Sequence, residues 1–272
     1  MGKTQKITSY YTDAAREWRR LVKDPYHRLE FDTTLKYLKK YLPKNGLVLD
    51  AGGGPGRYTI ELAKLGYKLV LMDYVQANLD YAQEQISRAK VSSHVLSIFP
   101  GTITNLSVLE DNSFDAVLCL GGPLSHVPTG ELRKSAAREL IRVAKGQAPV
   151  FISVMGKYGI LSRFADMPEE VEMAKHYRDF WSRGEDDYWA QTAYAHFFTK
   201  EELNDLIREN GAAVITNVGL ETFASAVEDK FSEMAKTNPV FYKNWLAMHN
   251  ALCEEPAAVD ASMHFLTIGR KS

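Results

Sequence analysis

The residues of this chain with the clearest capacity for chemistry lie in a glycine-rich loop. Residues 47–59 read LVLDAGGGPGRYT, in which Asp50-x-Gly52-x-Gly54-x-Gly56 joins an apolar run to a helix-like one. Glycine has no side chain and adopts positive φ freely, so its backbone can approach a ligand closely. A loop of this kind is typical of a nucleotide-binding site, although a plain tight turn would also use glycine.

Two common phosphate-binding motifs do not fit this loop. The dinucleotide fingerprint GxGxxG, read from Gly52, requires a glycine where Arg57 stands, and read from Gly53 it fails at Pro55. The P-loop motif is absent because no Gly-Lys-Ser/Thr follows. Asp73 ends the next apolar run, about twenty residues on, where a carboxylate can accept hydrogen bonds from both ribose hydroxyls or can cap the strand.

The elements that position these residues alternate between strand and helix. Short apolar runs predict strands at 46–52, 68–73, 94–101, 113–122 and 148–156, with two later strands at 212–223 and 263–271. Helical spacing follows the glycine loop and the caps Thr129 and Thr199, and a further helix is predicted from about Val227 to Leu252. This alternation predicts a parallel sheet with helices on both faces and a ligand at the carboxyl ends of the strands.

Two segments depart from this rhythm. Residues 1–45 predict an N-terminal helical cover, with helices over 12–24 and 30–43. Residues 157–198 form an insertion too long for an ordinary connection and too aromatic for disorder, so we expect a substrate lid in which some side chains form a small core. Its aromatic residues are Tyr158, Phe164, Tyr177, Phe180, Trp181, Tyr188, Trp189 and Tyr194.

Several stretches in this order resemble the class I S-adenosylmethionine-dependent methyltransferases, from about Leu35 to the C-terminus. The stretches are VLDAGGGPGRYTIELAKLGYKLVLMD, FDAVLCLGGPLSHV, ARELIRVAKGQAPVFISV, FFTKEELNDLIRENGAAV and HFLTIGRK. The resemblance implies one methyltransferase domain over 1–272 of the α/β class. Its Rossmann-like, doubly wound sheet would have seven strands, mostly parallel with an antiparallel C-terminal edge strand.

The same resemblance implies a binding site for S-adenosylmethionine. Tyr74 would flank the adenine, with Thr102 and Ile103 along its other edge, although many relatives carry Asp where Thr102 stands. Tyr58 begins the helix beside the glycines, and Tyr11, Arg16 and Arg28 are candidates to close over the cofactor. The expected cofactor contacts are Asp50, Gly52, Gly54, Gly56, Tyr58, Asp73, Tyr74, Thr102, Ile103, Leu120 and Tyr11.

Methyl transfer is an in-line displacement that depends mainly on positioning and exclusion of water, without a metal or a nucleophilic side chain. A base helps only where the acceptor must lose a proton. His126, which follows the fourth strand, is a candidate base or substrate anchor, with a purely structural role in its turn as the alternative. His196 is a weaker candidate.

Composition and motifs favour a small-molecule acceptor, methylated on O or N. The net charge of −1 and pI near 6.7 do not indicate a nucleic-acid partner, and the run at Arg19–Arg28 is interpreted as a solvated helix face. LGGPLS replaces the Asn/Asp-Pro-Pro-Tyr/Phe motif of base-amine methyltransferases, and Cys119 lacks the Pro-Cys context of C5-pyrimidine enzymes.

Three alternatives stay open at this point. The first is a methyltransferase whose acceptor is a modified tRNA nucleoside. The second is a non-catalytic regulatory protein that binds S-adenosylmethionine. A nicotinamide oxidoreductase is disfavoured by Arg57. The chain has two cysteines outside any CxxC pair, a polar N-terminus without a signal peptide and no apolar run of 18 residues, so we expect a cytoplasmic protein without a membrane span.

Overall fold

The computed structural model of this protein describes residues 10–187 and 193–272. The strands are β1 (Leu47–Ala51), β2 (Lys68–Asp73), β3 (Val95–Pro100), β4 (Ala116–Cys119), β5 (Pro149–Met155), β6 (Glu185–Asp186), β7 (Ala195–His196), β8 (Ala212–Gly219) and β9 (His264–Lys271). Seven of them form one sheet in the order β3-β2-β1-β4-β5-β9-β8, and β6 pairs with β7 apart from it.

The α-helices surround this sheet and also build the N-terminal segment and the insertion. They are α1 (Ala14–Arg20), α2 (Pro25–Tyr41), α3 (Arg57–Lys64), α4 (Gln76–Arg88), α5 (Gly130–Val143), α6 (Lys157–Leu161), α7 (Pro168–Glu172), α8 (Ala174–Arg183), α9 (Lys200–Glu209), α10 (Glu228–Thr237), α11 (Pro239–Leu252) and α12 (Pro256–Asp260). Short 3₁₀ turns precede several of them, including Pro123–His126 after β4.

The strand pairing confirms the predicted fold class. β1 pairs in parallel with both β2 and β4, and β4 pairs in parallel with β5. β9 enters antiparallel between β5 and β8, which places β8 at the outer edge. The strand order reverses between β1 and β4, so the carboxyl ends of these two strands bound the crevice where such sheets bind ligands.

Burial explains why the central strands read as unbroken apolar runs. Val48, Leu49 and Ala51 of β1 are fully buried, because helices cover both faces of a parallel sheet. Two large clusters of buried hydrophobic residues lie one on each face of the sheet. One includes α5 and α9, and the other includes α2, α3 and α4. The rigid sheet therefore fixes the position of the loops that leave its carboxyl edge.

Helix termini follow the sequence signals in two places and depart from them in a third. Thr129 and Thr199 each accept a hydrogen bond from the backbone three residues on, as N-caps do. The single helix predicted from Val227 to Leu252 is wrong, because the chain breaks between α10 and α11 at Asn238. Pro239 follows it, and proline disfavours helical geometry in the residue before it.

The N-terminal segment folds as the two predicted helices. α1 and α2 lie against the sheet's second core, to which α2 contributes Phe31, Tyr37 and Leu38. In the insertion, Phe164, Phe180 and Phe197 form a small core of their own. No helix among residues 10–187 and 193–272 combines the length and apolar character that a membrane crossing requires.

Candidate functional site

The glycine loop after β1 is held against the neighbouring strand by its backbone. The amides of Gly52 and Gly53 both donate to the carbonyl of Met72, at 2.7 and 3.1 Å. Gly52 has φ +78°, and a Cβ there would lie 2.6 Å from the ring of Pro123. The loop therefore needs glycine at this position both for its backbone conformation and for its close approach to the chain that follows β4.

Asp73 lies at the carboxyl end of β2 and organises the loop beside it. Its Oδ2 accepts a hydrogen bond from the Gly54 amide at 2.8 Å, and its Oδ1 accepts one from the Val75 amide at 2.9 Å. The side-chain amide of Asn78 also donates to Oδ1, through its Nδ2 at 3.2 Å. Burial raises the pKa of Asp73, while these three donors oppose the shift.

A cavity of about 320 Å³ opens between the ends of β1, β2 and β4 and the N-terminal segment. That volume lies within the range of small-molecule sites. Its wall is mostly apolar and carries Met72, Ile103, Leu120 and Val127. The predicted site residues on this wall are Tyr11, Gly52, Gly54, Tyr58, Asp73, Tyr74, Thr102, Ile103, Leu120 and His126.

Two predicted contact residues lie behind the wall. Asp50 is fully buried beneath the loop, where its Oδ2 accepts a hydrogen bond from the hydroxyl of Thr59 at 2.6 Å. Burial raises the pKa of Asp50 to about 6. Gly56 is the N-cap of α3, with φ +78°. The structure gives both residues a place in the support of the loop, and direct contact with a cofactor stays a prediction for them.

Arg57, the residue that breaks the dinucleotide fingerprint, joins the loop to the N-terminal segment. Its guanidinium donates to the backbone carbonyl of Trp18 through Nε, at 3.0 Å, and through Nη2. It also lies 4.0 Å from the centre of the Trp18 ring, a cation–π arrangement. Burial lowers the pKa of Arg57. Arg57, whose presence argues against dinucleotide binding, thus anchors α1 over the cavity.

α1 contributes two charged residues to the wall that the sequence did not single out, Glu17 and Arg20. Nε of Arg20 lies 2.8 Å from Oε1 of Glu17, and Nη1 lies 2.7 Å from Oε2 of Glu30. The interpretation of Arg19–Arg28 as a solvated face is therefore wrong for Arg20. Arg16 and Arg28, in contrast, pair with the Tyr10 carbonyl and Asp32 and do not line the cavity.

His126 and Tyr11 form a hydrogen-bonded pair at the cavity wall. The Nδ1 of His126 lies 2.7 Å from the backbone carbonyl of Tyr194, which can only accept, so Nδ1 carries the proton. Nε2 is then the acceptor for the hydroxyl of Tyr11, at 2.7 Å. Burial lowers the pKa of His126, opposed by the Tyr194 carbonyl and by the charge of Glu17, and burial raises that of Tyr11.

The insertion reaches this pair through Tyr194. The hydroxyl of Tyr194 donates to Glu185 and lies 3.1 Å from Nη1 of Arg133, which also donates to the carbonyl of Val127. His196 lies within the same network, with Nε2 2.7 Å from Glu202 and Nδ1 3.3 Å from Glu185. His196 thus belongs to a network of ion pairs that joins the insertion to α5 and α9, and it does not line the cavity.

The described aromatic residues of the insertion do not form the walls of the cavity. Phe164 and Phe180 are buried in the insertion's own core, and the rings of Tyr158 and Trp181 are half exposed. Their expected role as substrate walls is therefore wrong for this cavity, because α1 and Tyr11 take that position instead. Tyr188 and Trp189 lie outside the described residues.

Replacing Gly52 with alanine is expected to lower the free energy of unfolding by about 2–5 kcal/mol. A left-handed conformation costs a non-glycine residue about 1–2 kcal/mol, and overpacking against Pro123 adds about 1–3 kcal/mol. Gly66→Ala is the matched control, because Gly66 has φ +95° but open space around its Cα. Chemical denaturation checks both variants, and equal losses would show that the close approach to Pro123 costs nothing.

The His196 network is expected to stabilise the protein more at pH 6 than at pH 8.5. Burial opposes the charge on His196, but the carboxylates of Glu185 and Glu202 outweigh it and raise its pKa. A raised pKa gives stability that is complete below the unfolded value of about 6.5 and is lost as pH rises through the folded value. The His196 ring and the Tyr194 hydroxyl outweigh burial and lower the pKa of Glu185 to about 2, so Glu185 stays ionised at both pH values and the change arises from His196.

The measurement is the difference in melting temperature between the wild type and His196→Gln at the two pH values. We expect a larger difference at pH 6. His94→Gln serves as the control, because His94 directly precedes β3 and, among residues 10–187 and 193–272, its side chain hydrogen-bonds to Ser93 alone. A difference of the same size at both pH values would mean that His196 stays uncharged in the folded protein.

Comparison with known proteins identifies relatives of this fold. Residues 48–147 match a family model described as "Methyltransferase domain". "Putative methyltransferase YqeM" of Bacillus subtilis is 25% identical over 146 residues, which make up 52% of this chain and 57% of that protein. The chain thus spans little more than half the length of this relative. A "Putative methyltransferase" of Encephalitozoon cuniculi is 26% identical over 228 residues, 82% of this chain and 95% of its own.

A solved structure extends the likeness to almost the whole chain. The 1,6-didemethyltoxoflavin-N1-methyltransferase of Burkholderia thailandensis, with 1,6-didemethyltoxoflavin and S-adenosylhomocysteine bound, superposes with a TM-score of 0.57 at 15% identity. The match covers 99% of this chain and 87% of that one. At this identity the likeness concerns the fold alone.

Proposed function

We propose that this chain is a class I S-adenosylmethionine-dependent methyltransferase that transfers the methyl group to an O or N atom of a small molecule. The observation that carries the proposal is the cavity between Gly52, Asp73 and His126, which joins the loop that typically holds this cofactor to a base. The cavity is closed on one side by Tyr11 and α1. We place the activity in the cytoplasm, in keeping with two buried, unpaired cysteines.

The residues on the wall fit the cofactor on two observations. Asn78 is 3% exposed and on the cavity wall, and its Oδ1 has no hydrogen-bond partner among the described residues. A buried acceptor without a partner is costly and points to a ligand that donates to it. Gly52, Gly53 and Gly54 also line the cavity, so the loop presents backbone without side chains to a ligand there.

We assign the cofactor's parts to residues accordingly. Asp73 and Asn78 would accept hydrogen bonds from the ribose, Tyr74 and Ile103 would flank the adenine, and Gly52 with Leu120 would lie along the methionine part. Thr102 directs its hydroxyl to that of Thr104, at 2.9 Å, and both line the cavity. A hydroxyl at position 102 can donate or accept, so it can replace the aspartate of many relatives at the adenine edge.

S-adenosylmethionine supplies, when bound, a methyl group on a positively charged sulfur. This chain's part is to hold the acceptor in line, keep water out and take a proton where the acceptor must lose one. His126 suits that last task because its lowered pKa keeps it neutral near pH 7 and Nε2 carries a lone pair. Tyr11 lies between Nε2 and the cavity, so a proton can reach His126 through its hydroxyl.

The wall also supports a small molecule over a tRNA nucleoside. A nucleic-acid site relies on lysine and arginine that are free to pair with phosphates. Arg20 and Arg57 are the arginines on the described wall, and both are occupied, by Glu17 with Glu30 and by the Trp18 carbonyl.

The test is methyl transfer from S-adenosylmethionine labelled in its methyl group to a cell extract separated into metabolites, RNA and protein. We expect label in the metabolite fraction, dependent on active protein, with His126→Gln as the negative control. Label confined to RNA would establish the nucleoside alternative. Binding of S-adenosylhomocysteine without transfer to any fraction would support a regulatory protein instead.

A further inference from the structure

The cavity carries a carboxylate that cofactor binding does not use in our assignment. Glu17 projects from α1 onto the wall that also holds Tyr11 and His126. Its Oε1 accepts a hydrogen bond from Nε of Arg20 at 2.8 Å, and the side chain keeps 18% of its surface exposed. A partly desolvated carboxylate beside a base is a feature that selects the charge of whatever enters the cavity.

The neighbouring charged side chains do not neutralise the charge of Glu17. Arg20 also pairs with the buried Glu30, through contacts of 2.7 and 3.3 Å. On the far side of Glu30, Nδ1 of His264 lies 2.7 Å from Oε1 of Glu221, and the two carboxylates outweigh burial to raise the pKa of His264. Arg20 thus supplies one positive charge to two carboxylates, Glu17 and Glu30, and a negative charge is left in excess at the cavity.

An anionic acceptor would meet an unfavourable wall. The guanidinium groups of Arg20 and Arg57 are both committed to partners, as described above. Desolvating a phosphate or carboxylate beside Glu17 without a free cation would be unfavourable, because the two negative charges repel and the incoming one gains no partner. A cationic acceptor would instead meet the Glu17 carboxylate, which has few other hydrogen-bond donors around it.

We propose that the acceptor is an amine that is protonated in water and carries an apolar body. Its ammonium would lie against Glu17 and the hydroxyl of Tyr11, and its body against Val127, Pro128 and Leu132 at the mouth of the cavity. This inference rests on the proposed function and specifies its acceptor class.

The chemistry of such an acceptor uses the base already in place. A protonated amine has no lone pair, so one N–H proton first passes to Nε2 of His126, directly or through the Tyr11 hydroxyl. The freed lone pair then forms the new C–N bond as the C–S bond of the donor breaks and its electron pair stays on sulfur. The methylated amine leaves as an ammonium, and His126 returns its proton to water.

The test is calorimetric binding to protein saturated with S-adenosylhomocysteine. The probes are benzylamine, benzyl alcohol and benzoate, together with cyclohexylmethylamine, cyclohexylmethanol and cyclohexanecarboxylate. In each series we expect the amine to bind at least about tenfold more tightly than the alcohol, and the carboxylate to bind most weakly. Glu17→Gln should remove the preference for the amine and leave the affinity for the alcohol unchanged.

The matched control is Glu61→Gln, since Glu61 lies on α3, pairs with Lys64 and is outside the cavity. Equal binding of amine and alcohol by the wild type in both series would overturn the inference, whatever the variants do. It would also be overturned if Glu17→Gln weakened S-adenosylhomocysteine and spared the amines, because Glu17 would then serve the cofactor. Failure of the wild type to bind S-adenosylhomocysteine would instead contradict the proposed function.

Discussion

Asp73→Asn is expected to weaken binding of S-adenosylhomocysteine by about 10- to 100-fold. A hydrogen bond to a charged group is worth about 1.5–3 kcal/mol, and about 1.4 kcal/mol corresponds to a factor of ten. Asparagine keeps the shape of the side chain but loses the charge and one acceptor oxygen. Asp73 also accepts hydrogen bonds from the backbone amides of Gly54 and Val75, so the glycine loop will be held less firmly in the variant.

Isothermal titration measures this effect, and the melting temperature of each variant separates lost binding from lost folding. The control is Asp80→Asn, which removes an exposed carboxylate from α4 that accepts a hydrogen bond from Gln76. We expect Asp80→Asn to bind as the wild type does. An affinity of Asp73→Asn within threefold of the wild type would remove Asp73 from the binding site.

His126→Gln is expected to lower kcat by about 10²- to 10⁴-fold for an acceptor that must lose a proton, the usual contribution of a general base. The KM for that acceptor should change much less, because glutamine can still occupy the space of the imidazole. Tyr11→Phe should have a smaller effect of the same kind, since the base survives but loses the hydroxyl that links it to the cavity.

The pH profile separates a base from a structural residue. Burial lowers the pKa of His126, so the wild-type rate should be level near pH 7 and fall only as acid protonates Nε2, below about 6.5. His126→Gln should lose that acid limb. Single-turnover rates with labelled donor and the acceptor found in the metabolite fraction provide the measurement, and an unchanged kcat would rule out the base.

The sequence predicts the sheet well because its signals are local. The apolar runs of β1 and β2 and the caps Thr129 and Thr199 are fixed by neighbouring residues, and the order of the motifs is enough to indicate the fold. The cavity residues Asp73 and His126 follow from the same reasoning, because each lies where a strand ends at the carboxyl edge of the sheet. Tyr11 is one of three candidates from the N-terminal segment, and the other two, Arg16 and Arg28, do not line the cavity.

The remaining residues depend on contacts distant in sequence. Arg20 belongs to a run that reads as a solvated basic helix, and only its pairing with Glu30 across the turn between α1 and α2 buries it. Glu17 and Asn78 have no sequence signal of their own. The prediction for the insertion is wrong for a related reason. Aromatic residues such as Phe164 and Phe180 can pack in a small hydrophobic core as readily as they can line a substrate site.

The central claim is that the cavity beside Gly52 and Asp73 binds S-adenosylmethionine rather than a dinucleotide. Titration of the purified protein with S-adenosylhomocysteine and, separately, with NAD tests it most directly. We expect saturable one-to-one binding of S-adenosylhomocysteine that Asp73→Asn weakens, and no heat of binding with NAD. Binding of NAD without binding of S-adenosylhomocysteine would contradict the account.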